Sequence, residues 1–382
     1  MNILVVCHYG LYQNLTFSFV HNQIREYVSL GHRVRVIIPV AVGKKGPDGR
    51  QLGSLLTKGQ ADGVELYYVR YVTLSSYGKK WFNTESAKAS IRLGWKGIFQ
   101  DFQPDVIHAH TLGFDSELGA WLKEKWSCPQ VVTTHGSDTV IPLEHGQADV
   151  LRQNCDKADA VVAVSVKLRQ RLGSCGTKTP LHTIFNGFVP RENPAQAERT
   201  SCSMIQVGNL VPSKRVDMTI RALAKLREKY PEMMLTVVGQ GPEKEKLVSL
   251  CQDLGVAEQV CFTGLLPNDA VFERMCQSAF FVMASKPEGF GIVYLEAMSA
   301  GCVTIGTEGE GIDGVIRNGE NGFLVPADDP DAIAELVSRC LEQPQWAGQI
   351  AGRGREVSAD LTWERNAAAY IALFRQLRGR KL

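Results

Sequence analysis

The stretch SKPEGFGIVYLEAMSAG, residues 285–301, sets two acids, Glu288 and Glu296, eight positions apart around a Gly-Phe-Gly turn. The strand-like run FFVMAS precedes it, and IVYLEAMSA reads as a helix closed by Gly301. Gly289 and Gly291 lack a Cβ, so the backbone there can approach a ligand closely. The amides of Phe290, Gly291, Ile292 and Val293 are donors left over at a helix start, a good seat for phosphate. Glu296 lies about one turn farther in, placed to accept hydrogen bonds from a vicinal diol such as a ribose. Glu288, on the loop before the helix, is placed to meet a second polyhydroxyl group. A sugar–diphosphate–nucleoside satisfies this layout from end to end.

Other polar residues also sit where strand-like runs end. His135 and Asp138 belong to THGSD (134–138). His108 and His110 alternate along the end of PDVIHAHT and are expected on opposite faces, with His110 the one able to reach a ligand. No third ligand joins them at metal spacing, so no metal site is expected. The run VVGQGPEKEKL offers Gly239-x-Gly241 between a strand and a helix. The third glycine of a dinucleotide fingerprint would be Lys244, so the motif is weak taken alone.

These residues need a scaffold that brings strand ends together. NILVVCHY is a short apolar run ending in turn-prone residues; Phe17, Val20, Ile24 and Tyr27 then recur at helical spacing up to Gly31, and HRVRVIIPV follows as a strand. PDVIHAHT, PQVVTTHG and ADAVVAVS continue the alternation, which implies a parallel sheet covered on both faces. A second series follows from about residue 203, with SMIQVGNL, MLTVVGQG, QVCFTG, AFFVMAS and CVTIGTE as its strands and RVDMTIRALAKLREKY as one of its helical stretches. Between the series, NGFVPRENPAQAERTS (186–201) reads as a hinge. The expectation is α/β throughout: two Rossmann-like, doubly wound domains facing a cleft, with ligands beyond the carboxyl ends of the strands.

Composition narrows the function. The 42 basic residues nearly balance the 40 acidic ones, which argues against a general nucleic-acid binder. Ten cysteines are scattered singly, without a CxxC or a Cys/His cluster, as in a reducing cytoplasm. The opening MNILVVCHYG lacks the basic leader of a signal peptide, and no uncharged run approaches the roughly 20 residues that span a bilayer. A cytoplasmic protein is expected, soluble or lying on the inner face of the membrane.

EGFGIVYLEAMSAG resembles the E-x7-E signature of retaining glycosyltransferases with the GT-B fold, the large group called family 4. GHRVRVI, PDVIHAHT, THGSD, ADAVVAVS, VGNLVPSKRVD, VVGQGPE, FTGLL and NGFLVPADDPDAIAELV fall in that family's order along most of the chain. The resemblance implies that Glu288 contacts the donor sugar and Glu296 the nucleoside ribose. Lys214 would neutralise the donor diphosphate, and His135 would contact the transferring sugar. The glycine turn at Gly241 would line the nucleotide cleft, and FTGLL, through Leu265, would offer backbone groups near the base. Relatives often carry Arg where this chain has Asn209 and Gly where it has Arg215, so either could make the second phosphate contact. GTEGEGIDG (306–314) matches a glycine-rich loop near the diphosphate only loosely, because an acid interrupts the glycine pair. The loop after the first strand departs further, with Gly10 alone and Tyr9 and Tyr12 beside it; Tyr9, Gly10, His110 and Asp138 are read as acceptor-side residues. The resemblance also brings the closing segment DLTWERNAAAYIALFRQLRGRKL back onto the first domain, giving 1–186 plus 363–382 as one domain and 187–362 as the donor domain.

The activity implied is metal-independent, retaining transfer of a hexose-type sugar from a UDP- or GDP-linked donor to a hydroxyl acceptor, in bacterial-type surface polysaccharide or glycolipid assembly. The partners would be the nucleotide sugar and a glycan or lipid-linked acceptor, with no cofactor and no nucleic acid. Segment 75–102 mixes Lys79, Lys80, Lys88, Arg92 and Lys96 with Trp81, Phe82, Trp95 and Phe99. It reads equally as a face for anionic lipid or as a helix packed on its own sheet. Two rival readings remain: a nucleotide-sugar epimerase or phosphorylase on the same scaffold, and a non-catalytic nucleotide-sugar sensor.

Overall fold

The computed structural model describes residues 1–8, 19–42, 54–73, 80–192 and 199–379. Tyr9, Gly10, Tyr12, Phe17, Lys79 and the middle of the expected hinge (193–198) lie outside them, as do the side chains of Lys80 and Trp81. The chain divides into two compact units. The first holds Met1–Val164, Leu168–Phe185 and Trp363–Leu382, the second Ser165–Lys167 and Asn186–Thr362. Each is a parallel α/β sheet flanked by helices.

In the first unit the strands are β1 (Asn2–Val6), β2 (Arg33–Ala41), β3 (Leu56–Ala61), β4 (Val64–Tyr71), β5 (Val106–His110), β6 (Gln130–Thr134), β7 (Ala160–Ala163) and β8 (Leu181–Thr183). Their order across the sheet is β3-β4-β2-β1-β5-β6-β7-β8, and every pairing is parallel except β3 with β4. Side chains alternate along a strand, so Ile3, Val5 and Cys7 enter one core while Leu4 and Val6 enter the other. That is why β1 reads as an unbroken apolar run: both of its faces are covered. The hairpin β3–β4 is absent from the expected pattern. Its two-residue turn, Asp62-Gly63, has φ of 49° and 76°, and an Asp-Gly pair is the local signal for such a turn.

The helix Phe19–Ser29 buries Val20, Ile24 and Tyr27, and it stops before Gly31, which takes the left-handed φ of 79°. It packs beside the closing helix Trp363–Gly379, whose Tyr370 and Phe374 rings meet Tyr27 and His108. Gln23 Nε2 donates to Asn366 Oδ1 at 2.7 Å, and Asn366 Nδ2 to the Phe185 carbonyl at 2.7 Å. The last helix is therefore bonded into the first unit by buried polar contacts as well as by apolar ones.

Segment 80–99 forms the helices Lys80–Leu93 and Trp95–Phe99. Phe99 is buried, and Trp95 stacks on Trp126 with ring centroids 5.7 Å apart. Arg92 covers the Trp121 ring and Lys88 pairs with Glu85. Trp95 and Phe99, two of the aromatics read as a lipid face, are instead part of the unit's own packing. No helix among the described residues is long and apolar enough to cross a membrane.

In the second unit the strands β9 (Thr200–Val207), β10 (Met234–Val238), β11 (Val260–Gly264), β12 (Ser278–Val282), β13 (Val303–Thr307) and β14 (Phe323–Val325) are ordered β11-β10-β9-β12-β13-β14, all parallel. The chain builds outward from β9 in one direction and then crosses to β12 to build in the other. The reversal puts the carboxyl ends of β9 and β12 at the general ligand position of doubly wound sheets. The first unit reverses in the same way between β1 and β5.

The turns at this edge pack backbone against backbone. A Cβ at Gly239, where φ is 141°, would lie 1.9 Å from the Gly208 carbonyl oxygen, and one at Gly241 would lie 2.3 Å from that of Leu210. Gly239→Ala is therefore expected to destabilise the protein by more than about 1 kcal/mol, since a side chain must both adopt a positive φ and displace a strand-end carbonyl. Urea unfolding measures this; an unchanged midpoint would contradict the packing.

Candidate functional site

At the reversal of the second sheet, two loops face each other. After β9 the chain passes Gly208 and Asn209, makes a short 3-10 turn over Pro212–Lys214, and enters the helix Val216–Leu226 through Arg215 in the left-handed region, φ 48°. Arg215 thus holds a backbone conformation that suits glycine. The buried Gln206 fixes the turn: its Nε2 donates to the Lys214 carbonyl at 2.7 Å, while its Oε1 accepts from Thr219 at 2.7 Å. The loop after β12 is tied to this turn through the Lys286 amide, which donates to the Ser213 carbonyl at 2.7 Å.

The consequence is a contact that sequence spacing does not announce. Lys214 Nζ lies 2.5 Å from Glu288 Oε2, with the two side chains 25% and 12% exposed. Ser285 Oγ donates to the same carboxylate oxygen at 3.1 Å. A cation read as a diphosphate partner and an acid read as a sugar partner thus neutralise each other. Pairing of this kind makes burial of both tolerable, because either charge alone would be desolvated without compensation.

Gly291 begins the helix Ile292–Ala300 at φ 80°. A Cβ there would meet the Tyr294 ring at 2.6 Å, so this glycine is required by backbone conformation and by an internal ring. Tyr294 is itself buried and donates to the Met283 carbonyl at 2.6 Å, which fastens the helix start to the end of β12. Phe290 is buried, and Ile292 and Val293 are half-buried. Glu296 stands half-buried on the same helix, and burial raises its carboxyl above the usual value while Arg191 draws it down. Arg191 Nη1 is 3.8 Å from Glu296 Oε1 and its guanidinium lies over the Phe272 ring. Arg191 lies in the expected hinge, and nothing in its local sequence marks it as a partner of Glu296.

The remaining donor-side residues fall around this core. Asn209 is exposed after β9, and Leu265 is 62% exposed after β11. Gly241 turns its Cβ position toward the Leu210 backbone, so packing explains its residue type. Arg215 sends its guanidinium to Asp328 and Asp217.

In the first unit, a polar cluster forms at the carboxyl ends of β1, β5 and β6. Sequence alternation is expected above to send His108 and His110 to opposite faces; the structure corrects this. Strand side chains repeat every two residues, so positions 108 and 110 share a face, and their rings lie 4.2 Å apart. His108 bonds Thr133 Oγ1 at 2.8 Å, which in turn bonds the Tyr370 hydroxyl at 2.8 Å. His110 Nδ1 is 3.0 Å from His135 Nε2, the two rings are nearly parallel, and His135 also meets the Phe19 ring at 4.1 Å. Asp138 accepts from the Thr134 hydroxyl and from the amides of Leu112, His135 and Gly136, at 2.9 to 3.0 Å. It is the clasp of the turn that presents His135. Three residues absent from the sequence expectation complete the cluster. His8 Nδ1 bonds the wholly buried Asp115 Oδ2 at 2.7 Å, and Thr111 Oγ1 donates to the same oxygen at 3.0 Å. The reversal between β1 and β5 brings them together.

Both halves of the chain match known families. A model described as Glycosyltransferase Family 4 matches residues 18–192, and one described as Glycosyl transferases group 1 matches residues 190–357. The chain is 31% identical, over 63% of its own length and 68% of the relative's, to a GDP-mannose-dependent alpha-(1-6)-phosphatidylinositol monomannoside mannosyltransferase of Mycolicibacterium smegmatis. The chain belongs to the family 4 glycosyltransferases. An N-acetyl-alpha-D-glucosaminyl L-malate synthase of Bacillus anthracis is 27% identical over 66% of this transferase and 69% of the relative. Among solved structures, sucrose-phosphate synthase from Thermosynechococcus elongatus superposes with a TM-score of 0.76 over 100% of both chains at 19% identity. Anabaena HepE, solved in complex with UDP, gives 0.75 over 99% of this chain and 100% of that one at 18% identity. The fold is GT-B, two parallel-sheet α/β domains in one chain.

The first unit of the transferase also carries a pH signature. Burial holds the imidazoles of His108 and His135 well below their usual value and that of His110 down to about 3, with neighbouring histidines adding to the effect. The unfolded chain takes up these protons near pH 6.5 and the folded chain does not, so stability is full above that pH and falls as pH drops toward 3. Each such histidine contributes a slope of up to about 1.4 kcal/mol per pH unit. Asp115 and Asp138, whose carboxyls burial raises, oppose this only near the acid end of the range. The melting temperature is expected to fall between pH 7.5 and 5.5, and less steeply in His110→Asn; a flat profile in the parent would contradict neutral burial.

Proposed function

We propose that the transferase moves a hexose-type sugar, with retention of anomeric configuration, from a UDP- or GDP-linked donor to a hydroxyl acceptor of surface polysaccharide or glycolipid. The observation that carries the donor assignment is the Lys214–Glu288 pair at the reversal of the second sheet, with Glu296 on the helix that follows. UDP is supported by HepE, solved with UDP and with UDP-glucose; GDP is supported by the GDP-mannose-dependent relative.

On this reading the diphosphate takes Lys214 away from Glu288. The lysine then stabilises negative charge that grows as the leaving group departs. Glu288, released, accepts hydrogen bonds from the sugar hydroxyls, and Glu296 accepts from the ribose diol. For His135 the proposal keeps the sugar contact that the resemblance implies. The acceptor oxygen attacks the anomeric carbon on the face from which the phosphate leaves, and its proton passes to the departing phosphate oxygen. The enzyme contributes positioning and electrostatics, with no protein nucleophile.

The exchange of partners gives a prediction of unusual sign. Lys214→Ala should lower turnover at least about 100-fold and weaken UDP or GDP binding. Glu288→Gln should lower turnover comparably yet tighten binding of the bare nucleoside diphosphate by about two- to fivefold, because it removes the lysine's internal competitor. Titration calorimetry against UDP and GDP reads this; weaker binding in Glu288→Gln would remove the exchange from the mechanism. A thermal-shift panel of UDP-, GDP-, ADP- and CMP-sugars should show a rise for a UDP- or GDP-sugar, and no rise with any would exclude the donor class.

A further inference from the structure

The partner exchange proposed above releases Glu288 from the lysine that pairs with it, so something else must keep its loop in place. Glu310 lies in the glycine-rich segment after β13, between Gly309 and Gly311. Its side chain is not turned to solvent: the residue is 4% exposed. Its Oε2 accepts a hydrogen bond from the Glu288 amide at 2.8 Å. The next residue returns the contact, the Gly311 amide donating to the Glu288 carbonyl at 3.0 Å. The two segments are so close that a Cβ at Gly311 would lie 2.4 Å from the Gly289 carbonyl carbon and oxygen and from the Phe290 nitrogen. Both backbone polar groups of Glu288 are therefore held by residues 310 and 311, and neither bond involves the Glu288 side chain.

We propose that Glu310 is a positioning residue for sugar transfer, its carboxylate holding the backbone of Glu288 while the Glu288 side chain changes partner from Lys214 to the sugar. An amide bonded to a carboxylate is a charge-assisted contact, stronger than one to a neutral acceptor. It survives the loss of the lysine because it is made through the main chain. A catalytic carboxylate must stay within a fraction of an ångström of its working position, and a loop released at the moment of ligand binding would not keep it there. The inference rests on the role proposed for Glu288.

The test compares Glu310→Gln, which keeps an acceptor oxygen at the same reach, with Glu310→Ala, which removes it. Turnover is read as UDP or GDP released from UDP-glucose or GDP-mannose. Glu310→Ala should lower kcat at least tenfold with the donor KM within about twofold, and Glu310→Gln should stay within threefold of the parent. In a Glu288→Gln background, Glu310→Ala should add less than a twofold further loss, because the group being positioned is already gone. Hydrogen exchange of the 285–291 segment in the ligand-free protein gives a second reading, at least tenfold faster in Glu310→Ala and near the parent rate in Glu310→Gln. If Glu310→Ala does not fold, Glu310→Asp takes its place, its shorter side chain falling short of the amide. Parental kcat in Glu310→Ala, an equal loss in Glu310→Gln, or independent losses in the double variant would each overturn the proposal. Normal turnover in Glu288→Gln alone would instead overturn the site reading beneath it.

Discussion

The ion pair between Lys214 and Glu288 joins the two strands at which the second sheet reverses direction. It can form only because β9 and β12 are neighbours, though 74 residues separate the two side chains. Polar contacts around it hold the partners: Gln206 fixes the backbone of Lys214, Ser285 meets the carboxylate of Glu288, and the Lys286 amide ties the two loops together. A buried charge is stable where its counter-charge and hydrogen bonds are built in. The same arrangement leaves the lysine ready to exchange one anion for another, which is what binding a diphosphate requires.

The two units solve a similar topological problem with opposite electrostatics. Each reverses its strand order and collects polar side chains at the carboxyl end of the sheet. In the second unit those side chains are charged and paired. In the first, burial keeps the imidazoles of His108, His110 and His135 neutral, beside the His8–Asp115 pair and the Asp138 oxygens, which accept from backbone amides and a hydroxyl. Such a cluster holds the shape of the strand ends through internal hydrogen bonds.

Several features are legible in the sequence. Alternating apolar runs marked most strands, because strands covered on both faces lose their polar positions. β3 and β4 escaped because a hairpin interrupts the β-α rhythm, although Asp62-Gly63 was a usable signal. His108 and His110 share a face because two residues is one full period of a strand, so their spacing alone carries that placement. His8, Asp115 and Arg191 carry no local mark, since the His8–Asp115 and Arg191–Glu296 pairs join residues distant in the chain, while Gln206 takes its place from the strand-to-helix turn that it holds.

By itself, the order of residues determined the alternation of strands and helices and the family signature, because both are local: apolar periodicity and a spacing of acids around a glycine turn can be read within a few residues. Which charges meet was decided by the tertiary structure alone. Strand order sets the neighbours, and strand order follows from how two long stretches of chain cover opposite faces of a sheet. That is why Glu288 and Lys214 carry their chemistry in the sequence as separate residues, and become one site only when β12 crosses to lie beside β9.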